Sequence, residues 1–213
     1  MKQPDQAAEP ASRVEDVAVV GGHPSLDFSN TASGRTPDPT TERLHSYDDL
    51  VTWAARVGVV SGTEGGRLRA QARKDPAAAR RVLTRALTVR EAIYGVFSTI
   101  ASNRSVLKTD LRVIDALARE AFSHRALLRV ESAIRWRWTR DVADLARPIW
   151  PIALGAAELL TGDDLGRVKE CGNHPCSWLF LDRSRNHSRR WCEMSDCGNR
   201  VKARAFAARR RAG

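Results

Sequence analysis

Cys171, Cys176, Cys192 and Cys197 are the residues whose type and spacing best suit them to chemistry, and they are all the cysteines of the chain. They fall in two pairs, with four residues inside each pair and 15 between the pairs. Short spacers of this kind let the backbone turn so that two sulfurs face one ion, and Zn²⁺ accepts a tetrahedron of thiolates because its filled d shell imposes no geometry of its own. Four protein ligands leave no coordination position open for water or substrate, so one Zn²⁺ bound here is expected to be structural. Two disulfides are the alternative. The polar start of the chain, Met1 to Glu15, lacks the apolar core of a secretory leader, which favours a reducing cytoplasmic setting and hence the metal.

The surroundings of the cysteines are basic. From Arg167 onward, 12 Lys or Arg stand against 4 Asp or Glu, a net of +8 within a whole-chain charge of +10. Four thiolates and one Zn²⁺ lower the local figure to +6, which still suits a polyanion. The candidate nucleic-acid contacts are Arg183, Arg185, Arg189, Arg190, Arg200, Lys202 and Arg204, expected to form one basic surface. Arg209 to Arg211 read equally well as a solvated tail. DNA is the first partner this predicts. RNA phosphates would meet the same charges, and an acidic surface on the transcription machinery is a third reading. A homodimer and a small-molecule effector are compatible with all three, and no membrane contact is expected.

Around these residues the sequence predicts a mainly α N-terminal domain with a short β-hairpin, then a treble-clef-like zinc module of knuckle, hairpin and helix. Residues 1–16 have no periodicity and read as a disordered leader, 17–165 as the helical domain and 166–213 as the zinc module. Val17 to Val20 reads as a short strand, followed by a turn at Gly21 to Pro24 and, later, a loop from Thr31 to Thr41. Ser46 and Asp49 make a capping-box start for a helix that stops near Gly58. A second helix spans 63–74, weakened by Gly65-Gly66. Asp75 and Pro76 then open the clearest helix, striped by Val82, Ala86, Val89, Ile93, Val96, Phe97 and Ile100.

A helix over 109–123 follows, and then the period changes. Residues 128–130 and 134–139 read as two strands, the second alternating Ile134, Trp136 and Trp138 with Arg135 and Arg137, as a strand with one buried face requires. Helical character returns over 141–160, broken or kinked by Pro148 and Pro151 and ended by Gly162. In the zinc module, 178–182 and 189–191 read as a hairpin and 201–211 as a helix, with Trp178, Phe180, Trp191 and Phe206 as a small core.

No glycine-rich nucleotide loop, metalloprotease pair or nucleophile elbow is present in the sequence, and the histidines are scattered, so an enzyme is not expected. One other motif has polar groups close together: His23, Asp27 and Asn30. The simpler reading is that Asp27 and Asn30 brace a turn while Leu26 and Phe28 anchor it in the core; a ligand pocket is the alternative.

The segments WLFLDRSRN (178–186), SRRWCEM (188–194) and CGNRVKAR (197–204) resemble the CGNR zinc-finger family, named for the tetrapeptide at Cys197 to Arg200. Residues 22–31, GHPSLDFSNT, resemble the ABATE domain that precedes this finger in bacterial proteins regarded as stress-induced transcription regulators. The resemblance implies a DNA-binding finger joined to a helical domain.

Overall fold

The computed structural model describes residues 13–35, 41–139 and 144–212. Most of the predicted leader, residues 1–12, lies outside this set, but its end is ordered. Val14–Asp16 form one 3₁₀ turn, Val14 is buried, and Arg56 donates to the carbonyls of Val14 and Val17. Val14 belongs to the main apolar core, and burying it offsets the cost of ordering this turn. Val17 to Val20, predicted as a strand, joins no ladder among the described residues.

The chain bends at Gly21 to His23, as predicted, with Gly22 at φ +73°, and the residues after the bend form a short helix, α1 (Pro24–Ser29), which the sequence did not suggest. His23 caps it by accepting from the Ser25 amide, and Pro24 occupies the first position, where its missing N–H leaves nothing unpaired. A two-residue antiparallel bridge follows, β1 (Ala32–Ser33) with β2 (Thr41–Glu42), in the segment predicted as loop.

Helices α2 (Tyr47–Arg56) and α3 (Gly62–Lys74) each start on a capping box, Ser46 with Asp49 and Ser61 with Glu64. The glycine pair does not break α3. Gly65 faces α2 so closely that a Cβ there would stand 3.3 Å from Val51 Cγ1, and the close approach is what glycine permits. Only Asp75 separates α3 from α4 (Pro76–Ala101), and its carboxylate caps α4 by accepting from the Ala78 amide at 2.8 Å. The α4 stripe of Ala86, Val89, Ile93, Val96 and Phe97 is buried at the centre of the molecule. α5 (Lys108–Ser123) lays Ile114, Leu117, Ala118 and Ala121 into the same core.

β3 (Arg125–Val130) and β4 (Ala133–Trp138) pair antiparallel over six residues. The predicted buried face is not there. Trp138 stacks against Trp150 and Trp136 meets Phe122, but Leu127, Ile134 and Trp136 remain exposed, Ile134 by 72%. The ladder outruns the surface beneath it. Residues 141–143 of the next predicted helix lie outside the described set. α6 (Trp150–Thr161) starts only after a run of turns, because Pro151 fits a helix solely in its first turn.

β5 (Val168–Glu170) and β6 (Leu179–Leu181) then pair antiparallel, Val168 opposite Leu181 and Glu170 opposite Leu179. The predicted partner of 178–182 was 189–191; the strand it takes precedes the first cysteine instead, so the hairpin carries the knuckle at its tip. Val168, Leu179 and Leu181 are buried in the same core as α1, α4 and α6. After a π-type turn at Met194–Gly198, the chain ends in α7 (Asn199–Ala212). No helix among the described residues is long and apolar enough to cross a membrane.

Candidate metal centre and the basic surface around it

Cys171 directly follows β5, Cys176 precedes β6 by three residues, Cys192 follows a polar loop, and Cys197 lies in the turn that opens α7. These elements bring all four sulfurs within 4.8 Å of one another. Cys176 and Cys192 are 3.7 Å apart, Cys192 and Cys197 3.5 Å. A tetrahedron with Zn–S bonds of about 2.3 Å has sulfur–sulfur edges of about 3.8 Å, so the spacing fits one zinc ion. It is far beyond a disulfide length of about 2.05 Å, and all four cysteines are free thiols.

The electrostatics argue for a cation as well. Hydrogen bonding to Cys171 and Cys176, with burial, pushes the Cys192 thiol far up. The same crowding holds Cys171 far below the ordinary thiol range. Four sulfurs packed this closely cannot all ionise unless a dication sits among them. Held by all four of these cysteines, a zinc ion would crosslink the module and would keep no coordination position for water or substrate.

The tetrapeptide at 197–200 has a division of labour. Cys197 is a ligand. Gly198 leaves room for Met194, whose Sδ would stand 2.5 Å from a Cβ at that position. Asn199 Nδ2 donates to the Ser195 carbonyl, and Arg200 pairs with Asp196 across one helical turn. Trp178, Phe180 and Trp191 pack around the sulfurs as expected. Phe206 does not; it is exposed on α7, beyond the last contact of that helix with the knuckle at Arg204, and among the described residues only the Arg210 guanidinium lies over its ring.

Sequence reading missed Asp182, the fully buried carboxylate that shapes the loop between the cysteine pairs. It accepts from Lys169 Nζ at 2.6 Å, Ser184 Oγ at 2.6 Å, and the amides of Ser184 and Arg189 at 3.0 Å. Burial opposes its charge, yet these donors hold its pKa well below the usual carboxylate range. A signal was present: an aspartate two residues ahead of a serine in a polar run is the signature of a side-chain-braced turn.

The seven predicted cationic contacts divide. Arg183, Arg185, Arg190, Arg200, Lys202 and Arg204 are exposed. Arg204 ties α7 to the knuckle by donating to Asn173 Oδ1 and the His174 carbonyl. Arg189 turns inward, donates to the carbonyls of Val20, Trp191 and Cys192, and lies over the Phe180 ring. Its role in this geometry is to hold the loop.

The His23, Asp27 and Asn30 motif is a seam between α1 and the zinc module. Asn30 Nδ2 donates to the Leu179 carbonyl and Asn30 Oδ1 accepts from the Leu179 amide, both at 2.8 Å, across 149 residues of sequence. The Leu181 amide donates to the Gly21 carbonyl at 2.8 Å, and Gly34 donates to the carbonyl of the ligand Cys176. Glu170 of β5 accepts from Tyr94 and Ser98 of α4. Asp27 accepts from the Gly21 amide at 2.7 Å, and burial pushes its pKa up to about 6. Of the three, only His23 borders open space, beside Glu158. Burial lowers its pKa.

Two families match the sequence. Residues 22–163 match the family described as "ABATE: Putative stress-induced transcription regulator", and residues 167–210 match the CGNR zinc finger. Among curated proteins, no sequence matches.

Proposed function

Because this chain belongs to the ABATE family and ends in a CGNR zinc finger, we propose that it is a cytoplasmic, DNA-binding transcription regulator, a binding protein and not an enzyme. The observation that carries this reading is α7: every described side chain from Lys202 to Arg211 is exposed, and six of the ten residues are Lys, Arg or the exposed Phe206. A helix of 14 residues with no packing face is marginal on its own. Anchored at Cys197 and at Arg204, it projects its cations as a rod of the diameter a major groove admits. Phosphate neutralisation supplies most of the affinity, with Arg183, Arg185 and Arg190 reaching the backbone from the neighbouring loop.

The test is fluorescence anisotropy of a labelled duplex with the full zinc-loaded chain, titrated with salt and competed with structured RNA. About five phosphate contacts give a slope of log K against log salt near −4 to −5. Binding that lacks salt dependence overturns the reading, and preferential displacement by RNA replaces DNA with RNA as the partner.

A further inference from the structure

The one-residue corner between α3 and α4 leaves a cavity of about 520 Å³ facing the start of α2. Its volume is in the range of roughly 300–1,000 Å³ that small-molecule sites occupy. At the corner the cavity is lined by small side chains, Ala72, Pro76 and the buried Ala79, which do not fill the space between the helices. Leu83 and the buried Tyr47 line it as well, and Tyr47 is fixed because its hydroxyl donates to the Leu145 carbonyl at 2.8 Å. The floor is therefore apolar and rigid.

The rim has the opposite character. Arg69 and Asp48 neutralise each other, and Arg69 also donates to Thr52. That leaves Arg73 of α3 and Arg80 of α4, which flank the opening and have no carboxylate partner among the described residues. An apolar floor beneath two unneutralised guanidinium groups selects a ligand with a hydrocarbon body and one anionic head. We infer that this cavity binds a small apolar carboxylate. The inference is independent of nucleic-acid binding, since none of these residues lies in the zinc module or its seam.

The experiment is isothermal titration of the full zinc-loaded protein with decanoate below its micelle concentration. Decanol and decyltrimethylammonium are the uncharged and cationic controls. Decanoate is expected to bind saturably at one per chain, and each control at least about tenfold more weakly. Replacing both rim arginines, Arg73→Glu with Arg80→Glu, is expected to weaken decanoate by at least about tenfold while leaving the melting temperature and zinc content unchanged. Ala79→Trp fills the cavity and abolishes binding. Failure of decanoate to saturate, equal binding of decanol, or wild-type affinity in the doubly charge-reversed protein overturns the inference.

Discussion

On α4, Arg90 is buried and gives both ends of its guanidinium to Glu42 at 2.6 Å, with Glu91 as a further partner. On α7, Lys202, Arg209 and Arg211 stand in solvent with no acidic partner among the described residues. The same chemistry thus serves two ends. Where carboxylates neutralise the cations, arginine fastens β2 to the central helix. Where nothing neutralises them, the positive field remains available to a polyanion. The contrast extends to what holds each helix: α4 is kept by its buried stripe, α7 by one metal-bound turn at its N-terminus and the contact of Arg204 with the knuckle.

Removing the metal should separate the two regions most sharply. Cys192→Ser, or a strong chelator, is expected to abolish the one-to-one zinc content, melt α7 and eliminate duplex binding, since structural zinc contributes about 10–16 kcal/mol to such modules. Metal analysis with far-UV circular dichroism checks it, and a chelated protein that keeps its C-terminal structure refutes it. The α4 side weakens at Glu42→Ala, which takes from buried Arg90 its bidentate partner and leaves it Glu91 and the Thr31 hydroxyl; this should cost about 1–3 kcal/mol in urea denaturation, with zinc retained.

Asn30→Ala attacks the seam between the regions. It leaves the Leu179 amide and carbonyl buried without partners, at about 1–3 kcal/mol each, and should lower stability and zinc affinity together. Asp27 gives a pH signature. Its folded pKa of about 6 lies above the ordinary value of 3.8, so its contribution to stability is fully present below about pH 4 and is lost as pH rises through 6. The stability difference between wild type and Asp27→Asn should therefore fall by up to about 3 kcal/mol between pH 4 and 7.5. A flat difference refutes that assignment. The smallest effect on folding comes from Lys202→Ala with Arg209→Ala: stability within about 0.5 kcal/mol of wild type, but a salt slope shallower by about 2.

How much the sequence disclosed depended on how local each interaction is. The cysteine cluster was readable because ligand spacers are short and their chemistry is tied to residue type. The caps at Ser46 and Asp75 were readable for the same reason. The pairing of β6 with β5 was not, because three-residue strands carry almost no periodicity, and the polar run after Asp182 imitated a hairpin turn. The clasp of Asn30 on Leu179 was out of reach, since a single asparagine signals nothing about a partner 149 residues away. Alternation in β4 suggested a covered face; what the pattern could not supply is whether anything lies beneath the ladder.

That clasp also sets a schedule for biosynthesis. Asn30 leaves the ribosome long before Leu179, and until the later strand emerges its amide has neither of its bonds while α1 lacks the apolar cover of Leu179 and Leu181. The helical part therefore cannot finish folding as an early, self-sufficient unit, although domains ordinarily do so during synthesis. A chain cut short before residue 179 is left with an open wound in its oldest portion, and cellular quality control would meet it as an unfinished protein.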